Sequence, residues 1–154
     1  MIEESKRNPT DTVHPIKRVY GIVTRVFQVI YIIVTWLFAL CVLIQAYFAG
    51  LGIFDNGGWL GVHSGLGWML AMFSIFMLIL LPLGRFPRKV VLLHLLLVVD
   101  VIFQVGLVSF LYAFHAPALT ALHPVNALLL FIISALLGYS AFSWTRSTRQ
   151  SRGD

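Results

Sequence analysis

Charged residues are scarce in this sequence, and cysteine is almost absent. Only 11% of the 154 residues are Asp, Glu, Lys or Arg, whereas 59% are hydrophobic. A soluble globular domain has about 25% charged residues, so this chain has more apolar side chains than a water-soluble fold of its length can bury. The single cysteine, Cys41, excludes an internal disulfide bond and a cysteine-based metal motif. The composition predicts one domain embedded in a lipid bilayer.

Acidic residues are the rarer charged class, with 6 Asp and Glu against 11 Lys and Arg. The basic residues lie near the chain ends and in one short loop, not along one face of a folded domain, so no nucleic acid partner is expected. The sequence also lacks a nucleophile–base–acid set, which argues against a hydrolase. After the polar segment 1–20 comes an apolar run too long for a cleavable signal peptide, and we expect it to act as an uncleaved signal anchor.

Four apolar stretches are long enough to cross a bilayer, which takes roughly 20 apolar residues in a helix. They are residues 26–53, 59–83, 90–114 and 122–144. Asp100 is the only charged residue within them. Each must be helical, because lipid offers backbone groups no other partner, and the short connectors make successive helices antiparallel. The prediction is an all-α, antiparallel four-helix transmembrane domain (residues 21–145) between polar tails at residues 1–20 and 146–154.

The positions of Lys and Arg predict how the spans are oriented. These residues precede the first span, fill residues 85–89 between the second and third spans, and follow the fourth span, whereas the other two connectors contain none. All three basic segments fall on one side of a four-span protein, and the positive-inside rule places that side in the cytoplasm. We therefore expect a multi-pass membrane protein with cytoplasmic N and C termini.

The second and fourth spans begin with the same pattern of residues. In each, a histidine is followed by a small residue four positions later and by a serine eleven positions later, offsets that share one helical face. The two sets are His63, Gly67 and Ser74, and His123, Ala127 and Ser134. The preceding span of each hairpin carries one glutamine in its outer half, Gln45 or Gln104. This correspondence indicates a duplicated two-helix unit.

The repeat predicts a haem site. A sequential bundle places spans two and four on a diagonal and parallel to each other, so His63 and His123 are expected to face each other across the bundle axis. Two imidazoles at matched depth can axially ligate one haem iron. Each histidine also lies near a helix N-terminus, where the dipole favours the neutral imidazole that binds metal. The predicted cofactor is haem b, with His63 and His123 as the iron ligands.

Four further residues of the repeat complete this predicted site. Gly67 and Ala127 leave room beside the porphyrin, and Gln45 and Gln104 are predicted to hold an imidazole N–H or a haem propionate. Both features also have simpler explanations, because small residues favour close helix packing in membranes and glutamines hydrogen-bond between helices. A chlorophyll-type pigment is compatible with the same histidines.

Other polar residues allow further interpretations. Asp100, near the middle of the third span, is predicted to relay protons or to be a protonated acid that bonds across the bundle, with Gln104 one turn away on the same span as a partner. His115 is an alternative ligand that could join the repeat histidines in a three-histidine metal site. His94 is expected to pack at the membrane interface near Lys89.

Three short blocks carry a resemblance to a known family. They are Gln45–Phe54 (Gln-Ala-Tyr-Phe-Ala-Gly-Leu-Gly-Ile-Phe), His63–Gly67 (His-Ser-Gly-Leu-Gly) and Leu122–Ala127 (Leu-His-Pro-Val-Asn-Ala). With them, residues 26–145 resemble an uncharacterised bacterial family of small four-helix membrane proteins, which implies the fold and a bacterial inner membrane but no activity. The diagonal histidines are also similar, more distantly, to b-type cytochrome bundles. Those often hold two haems through four histidines, and the one pair here implies one haem or none.

Three functions remain open from the sequence. The first is a b-type cytochrome that transfers electrons between membrane quinol and an acceptor at the outer face. The second is a non-catalytic accessory or assembly subunit of a larger membrane complex, which would explain the small loops. The third is a small transporter with a polar path over Asp100, Gln45 and Gln104. The bilayer is a partner in every case, a quinone in the first, and other membrane subunits or a second copy of the chain in the second.

Overall fold

In the described parts of the chain every regular element is a helix. The computed structural model describes residues 15–114 and 117–151, apart from the side chains of residues 15–18, 109, 112 and 117. The helices are α1 (Pro15–Phe54), α2 (Trp59–Met77), α3 (Leu80–Gly84), α4 (Arg88–Ala113), a 3₁₀-helix (Pro117–Ala121) and α5 (Leu122–Gln150). Because α1, α2, α4 and α5 are long and apolar enough to cross a membrane, the predicted all-α four-span fold is confirmed.

Helices α1 and α5 run past the apolar spans predicted from the sequence. α1 begins at Pro15, inside the predicted tail 1–20, and α5 continues to Gln150, inside the predicted tail 146–154. Proline suits the first turn of a helix because its missing N–H would be unpaired there. At about 1.5 Å per residue, the 40-residue α1 is about 60 Å long, roughly twice the apolar core of a bilayer. The polar ends of both helices therefore extend beyond the apolar core.

The predicted second span, residues 59–83, is interrupted between α2 and α3. Pro82 has no N–H for the carbonyl of Leu78, and its ring would press against that carbonyl. The chain passes through a tighter turn here, in which the Leu78 N–H donates to the oxygen of Ile75. The main-chain oxygen of Ser74, four residues before Leu78, is thereby released from the helical ladder and is free to accept another donor.

The turn from α3 to α4 is anchored to α1. Arg85 closes α3 in the left-handed conformation, with φ of 51°. A Cβ on the preceding Gly84 would overlap the ring of Phe86, so this position has room only for glycine. The Gln28 side chain donates from Nε2 to the oxygen of Gly84 at 2.9 Å, and the Phe86 ring packs against Tyr31 with ring centres 4.6 Å apart.

The four spans form a bundle in which α2 and α5 are diagonal. α1 packs against α2, α3 and α5, and α4 packs against α2 and α5. In the most apolar part of each span only 22% to 44% of the residues are buried inside the protein, so most side chains point outward, as expected for helices that face lipid. This arrangement matches the diagonal predicted for spans two and four.

The two ends of the bundle are packed to different degrees. We call the end that carries the α3–α4 turn and the C-terminus of α5 the basic end, and the end that carries the α1–α2 connector and the 3₁₀-helix the histidine end. Toward the basic end, side chains such as Tyr31, Leu97 and Leu137 are completely buried. At the histidine end, no residue from 59 to 69 or from 122 to 129 is buried. The tight core therefore occupies the middle and the basic half of the bundle.

Candidate functional site

The histidine end brings His63 and His123 together. Their ring centres are 5.8 Å apart, and the ring planes meet at 72°. His63 lies just over one turn inside the start of α2, and His123 lies in the first turn of α5. The two residues thus have matched depths on diagonal helices.

His63 is oriented by a main-chain group of α1. Its Nδ1 lies 2.9 Å from the oxygen of Gln45, and because a carbonyl only accepts, Nδ1 carries the proton and donates. The lone pair of the neutral ring is then on Nε2, for which the described residues provide no hydrogen bond. A histidine that donates one N–H to a carbonyl and presents its other nitrogen is the usual arrangement of a metal ligand. Gln45 contributes to it through its backbone, whereas the sequence suggested its side chain.

His123 is contacted by the side chain of Gln104 on α4. The amide nitrogen of Gln104 donates to the main-chain oxygen of His123 at 2.9 Å and contacts its ring Nε2 at 3.3 Å. Because an amide nitrogen only donates, ring Nε2 accepts and Nδ1 of the neutral ring carries the proton. The other ring nitrogen, Nδ1, is buried without a partner. Gln104 therefore fixes the start of α5 through the backbone of His123 and leaves one nitrogen of the ring unused by the protein.

A chain of polar contacts leads from His123 into the bundle. Asn126 donates from Nδ2 to Oε1 of Gln104 at 2.9 Å, and the carboxyl of Asp100 lies near the Asn126 side chain. Asp100 lies one turn from Gln104 on α4, as the sequence indicated. Asn126 was missed as a site residue, although its position three residues after His123 puts both on one helical face.

Three buried side-chain atoms of the described residues lack a hydrogen-bond partner. They are Oε1 of Gln45, Oδ2 of Asp100 and Nδ1 of His123. More than nine in ten buried polar atoms in proteins have a partner, and each one left alone costs about 1–3 kcal/mol. All three atoms belong to the polar cluster of the histidine end, so this cluster has capacity for polar or metal-containing partners beyond the protein itself.

Two small residues of the predicted site have different surroundings. A Cβ on Gly67 would lie 3.0 Å from Nε2 of Gln45, so the missing side chain gives space to the Gln45 amide. Ala127 is half-buried on α5. A Cβ on Gly106 would meet nothing within 4 Å, and this glycine lies on the outward-facing side of α4, away from Gln104.

The donor set at this end consists of two imidazoles. Among the described residues no group of three or more His, Cys, Asp or Glu side chains could hold a metal ion. His115 lies outside the described residues, so the three-histidine site stays a prediction. Two imidazoles suit a metal that brings its remaining ligands with it, as haem iron does.

A second histidine cluster, which the sequence did not predict, lies in the basic half. His94 is completely buried, so the expectation that it packs at the membrane interface near Lys89 is wrong. The Tyr31 hydroxyl donates to Nδ1 of His94 at 2.8 Å, and Nε2 of His94 donates to the released oxygen of Ser74 at 2.9 Å. Both ring nitrogens are therefore occupied, and His94 acts as a link between α1, α2 and α4. A sequence signal was present in the polar positions Gln28, Tyr31 and Thr35 on one face of α1.

Comparison with known proteins reveals similarity to one family of unknown function, DUF6220, whose profile matches residues 45–110. The matched segment begins at Gln45, includes His63, Asp100 and Gln104, and ends before His123. No curated protein and no solved structure matches the chain. The similarity thus covers less than half of the chain and carries no activity with it.

Proposed function

We propose that the protein is a small membrane cytochrome that holds one b-type haem at the histidine end, with His63 and His123 as axial ligands, and that it transfers electrons from quinol. The observation that carries this proposal is that two imidazoles lie together on diagonal helices while Nε2 of His63 and Nδ1 of His123 have no hydrogen bond in the described residues. Nε2 of His63 already carries the lone pair, whereas His123 would have to move its proton from Nδ1 to Nε2, away from the Gln104 amide, in order to ligate through Nδ1.

The separation of the rings suits two ligands of one metal. A metal–imidazole bond is about 2 Å long, so two nitrogens on opposite sides of a metal stand about 4 Å apart. Each ring centre lies about 1 Å beyond its nitrogen, so the two ring centres would be about 6 Å apart. The separation of 5.8 Å between the ring centres of His63 and His123 is close to this value. The fixed tautomer of His63, with its lone pair on Nε2, supports the same assignment.

The packing of the histidine end also supports a bound cofactor. No residue of α2 from 59 to 69 and none of α5 from 122 to 129 is buried, so these helix segments can separate around a planar group without disturbing the core. The tight packing of the basic half keeps the two histidines at the same depth.

The remaining polar residues have roles that fit quinol chemistry. When bound, the haem supplies a one-electron carrier in the membrane. Quinol releases protons together with its electrons, and the Asp100 carboxyl has an unpartnered oxygen that can accept one. Asn126, which lies near this carboxyl, is hydrogen-bonded to Gln104, and Gln104 is hydrogen-bonded to His123. The basic residues of the opposite end favour a cytoplasmic location for that end, and the proposed haem would then lie near the outer face.

Absorption spectroscopy of the protein purified in detergent from haem-supplemented cells tests the proposal. We expect a sharp b-type band after dithionite reduction that is lost in His63→Ala and in His123→Ala. His115→Ala is the matched control at the same end and should keep the band. A colourless wild-type protein that is monodisperse and helical would refute the proposal. If His115→Ala loses the band while His123→Ala keeps it, the ligand pair is wrong.

A further inference from the structure

A cleft of about 450 Å³ lies at the basic end, between α1, the α3–α4 turn and α5. Arginines from all three elements line it, namely Arg25, Arg85 and Arg149. Thr24 and Thr148 add hydroxyl groups to its wall. Guanidinium groups match phosphate oxygens in charge and geometry, and hydroxyls can donate to the same oxygens.

Two of the cleft arginines, Arg85 and Arg149, have no carboxylate partner among the described residues. Within these ranges the acidic residues are Asp55, in the α1–α2 connector at the histidine end, and Asp100, near the middle of α4. Neither lines the cleft. The guanidinium groups of Arg85 and Arg149 are therefore the ones that the described residues leave available to an anion.

The backbone at Arg85 points to a role for its side chain. Arg85 is the only described residue other than glycine with a positive φ, in a position that closes a helix and that glycine favours. An arginine here keeps a strained backbone, and strain of this kind is retained where a side chain is needed. This arginine lines the cleft together with Arg149 of α5.

The cleft is also rigid where Arg85 enters it. Gln28, which lines the cleft, holds the main chain of Gly84. The Phe86 ring is fixed between Tyr31 and Trp144, with ring centres 4.6 Å and 5.6 Å away. The arginine that follows Gly84 is therefore attached to a fixed turn, which lowers the entropy that binding would cost.

The position of the cleft indicates the source of its ligand. Trp144 and Tyr20 lie on its wall, and such aromatic residues mark the level of lipid headgroups in membrane proteins. We propose that the cleft binds a phosphate group, carried by the headgroup of an anionic phospholipid or by a free phosphate compound. Basic pockets at the ends of membrane helices recognise lipid phosphates in this way. This site is independent of the histidine end.

Native mass spectrometry of the intact protein in neutral detergent tests the lipid source, with phosphatidylglycerol as the probe and phosphatidylcholine as the zwitterionic comparison. We expect preferential retention of phosphatidylglycerol by the wild type and a loss of at least tenfold in apparent affinity in the double variant Arg85→Gln/Arg149→Gln. The matched control is Arg88→Gln/Arg146→Gln, which removes the same charge from exposed positions of the same end outside the cleft. It should stay within twofold of the wild type.

Inorganic phosphate is the probe for the free source, measured by the rise in thermal unfolding temperature of the wild type and of both double variants. The ligand is a soluble phosphate compound if inorganic phosphate raises the unfolding temperature of the wild type but not of the cleft variant, and if the wild type does not retain phosphatidylglycerol. Retention of phosphatidylglycerol alone assigns the lipid. Equal losses in the cleft variant and its control, or no binding of either probe, would overturn the proposal.

Arg85→Gly separates binding from folding. Glycine adopts the left-handed conformation without strain, so this variant should unfold at the same or a higher temperature than the wild type and yet bind the phosphate probe at least fivefold more weakly. Wild-type binding by Arg85→Gly would contradict the proposed role of the side chain.

Discussion

The imidazoles of His63 and His123 lie with ring centres 5.8 Å apart, although their helices are diagonal in the bundle and each ring is held from a different side. His63 donates to a backbone oxygen of α1, whereas Gln104 of α4 holds the backbone of His123. The two halves of the repeat therefore reach the same place by different contacts, and substitutions of the two glutamines should have unequal effects.

Gln104→Ala should weaken haem retention about tenfold or more, because it removes the side chain that holds the start of α5. Gln45→Ala should have a much smaller effect, since the main-chain oxygen that accepts from His63 remains. Haem titration of the two apoproteins, followed by absorption, measures the difference. Equal losses would mean that the Gln45 side chain, and not its backbone, supports the site.

Asp100→Asn should leave the absorption spectrum unchanged and slow the reduction of the haem by a soluble quinol about tenfold or more, because an amide cannot accept the proton that a carboxylate can. Stopped-flow absorption measures this rate. Asp55→Asn, at an exposed position of the same end, is the control and should reduce at the wild-type rate. A normal rate in Asp100→Asn would remove the carboxyl from the proton path.

Tyr31→Phe should lower the stability of the bundle by about 1–3 kcal/mol, because Nδ1 of the completely buried His94 would lose its donor. Thermal unfolding in detergent checks this effect. Tyr139→Phe removes a hydroxyl from an exposed tyrosine of α5 and should change stability little. If both variants unfold at the same temperature, the buried pair adds nothing to stability.

Gly84→Ala should cost at least about 1–3 kcal/mol, because the new Cβ would overlap a Phe86 ring that is fixed between two other aromatic rings. Gly61→Ala is the matched control in α2, where a Cβ would meet nothing within 4 Å. It should be neutral or slightly stabilising, since alanine suits a helix better than glycine. Thermal unfolding of both variants in detergent measures these effects. If both variants lose the same stability, close packing of Gly84 against Phe86 is not the cause.

Much of the fold could be predicted because the length and hydropathy of each span are local properties of the sequence. The starts of α2 and α5 and the diagonal pairing of their histidines followed from the repeated offsets. The N-terminus of α1 and the C-terminus of α5 were not predictable from hydropathy, because a helix can continue through polar residues beyond the apolar span. The break after α2 was not predicted, because Pro82 and Leu78 lie within one continuous apolar run and hydropathy does not register the effect of a proline.

The contacts of the site were harder to predict than its residues. Gln45 acts through its main-chain oxygen, whereas Gln104 acts through its side-chain amide. This difference depends on small differences in how the two hairpins pack. The burial of His94 needed three conditions at once, namely the hydroxyl of Tyr31, the release of the Ser74 oxygen and the path of α4 between them. No single pattern along the chain contains all three.

The unequal packing of the two ends has a consequence for biogenesis. The basic half is closed by its own side chains, since Tyr31, His94 and the Ser74 oxygen satisfy one another without any added group. The chain can therefore be inserted and folded by its core alone, with the loosely packed histidine end left as the last part to mature. If the histidine end holds the proposed haem, loading of the cofactor would be a late step that follows folding of the core.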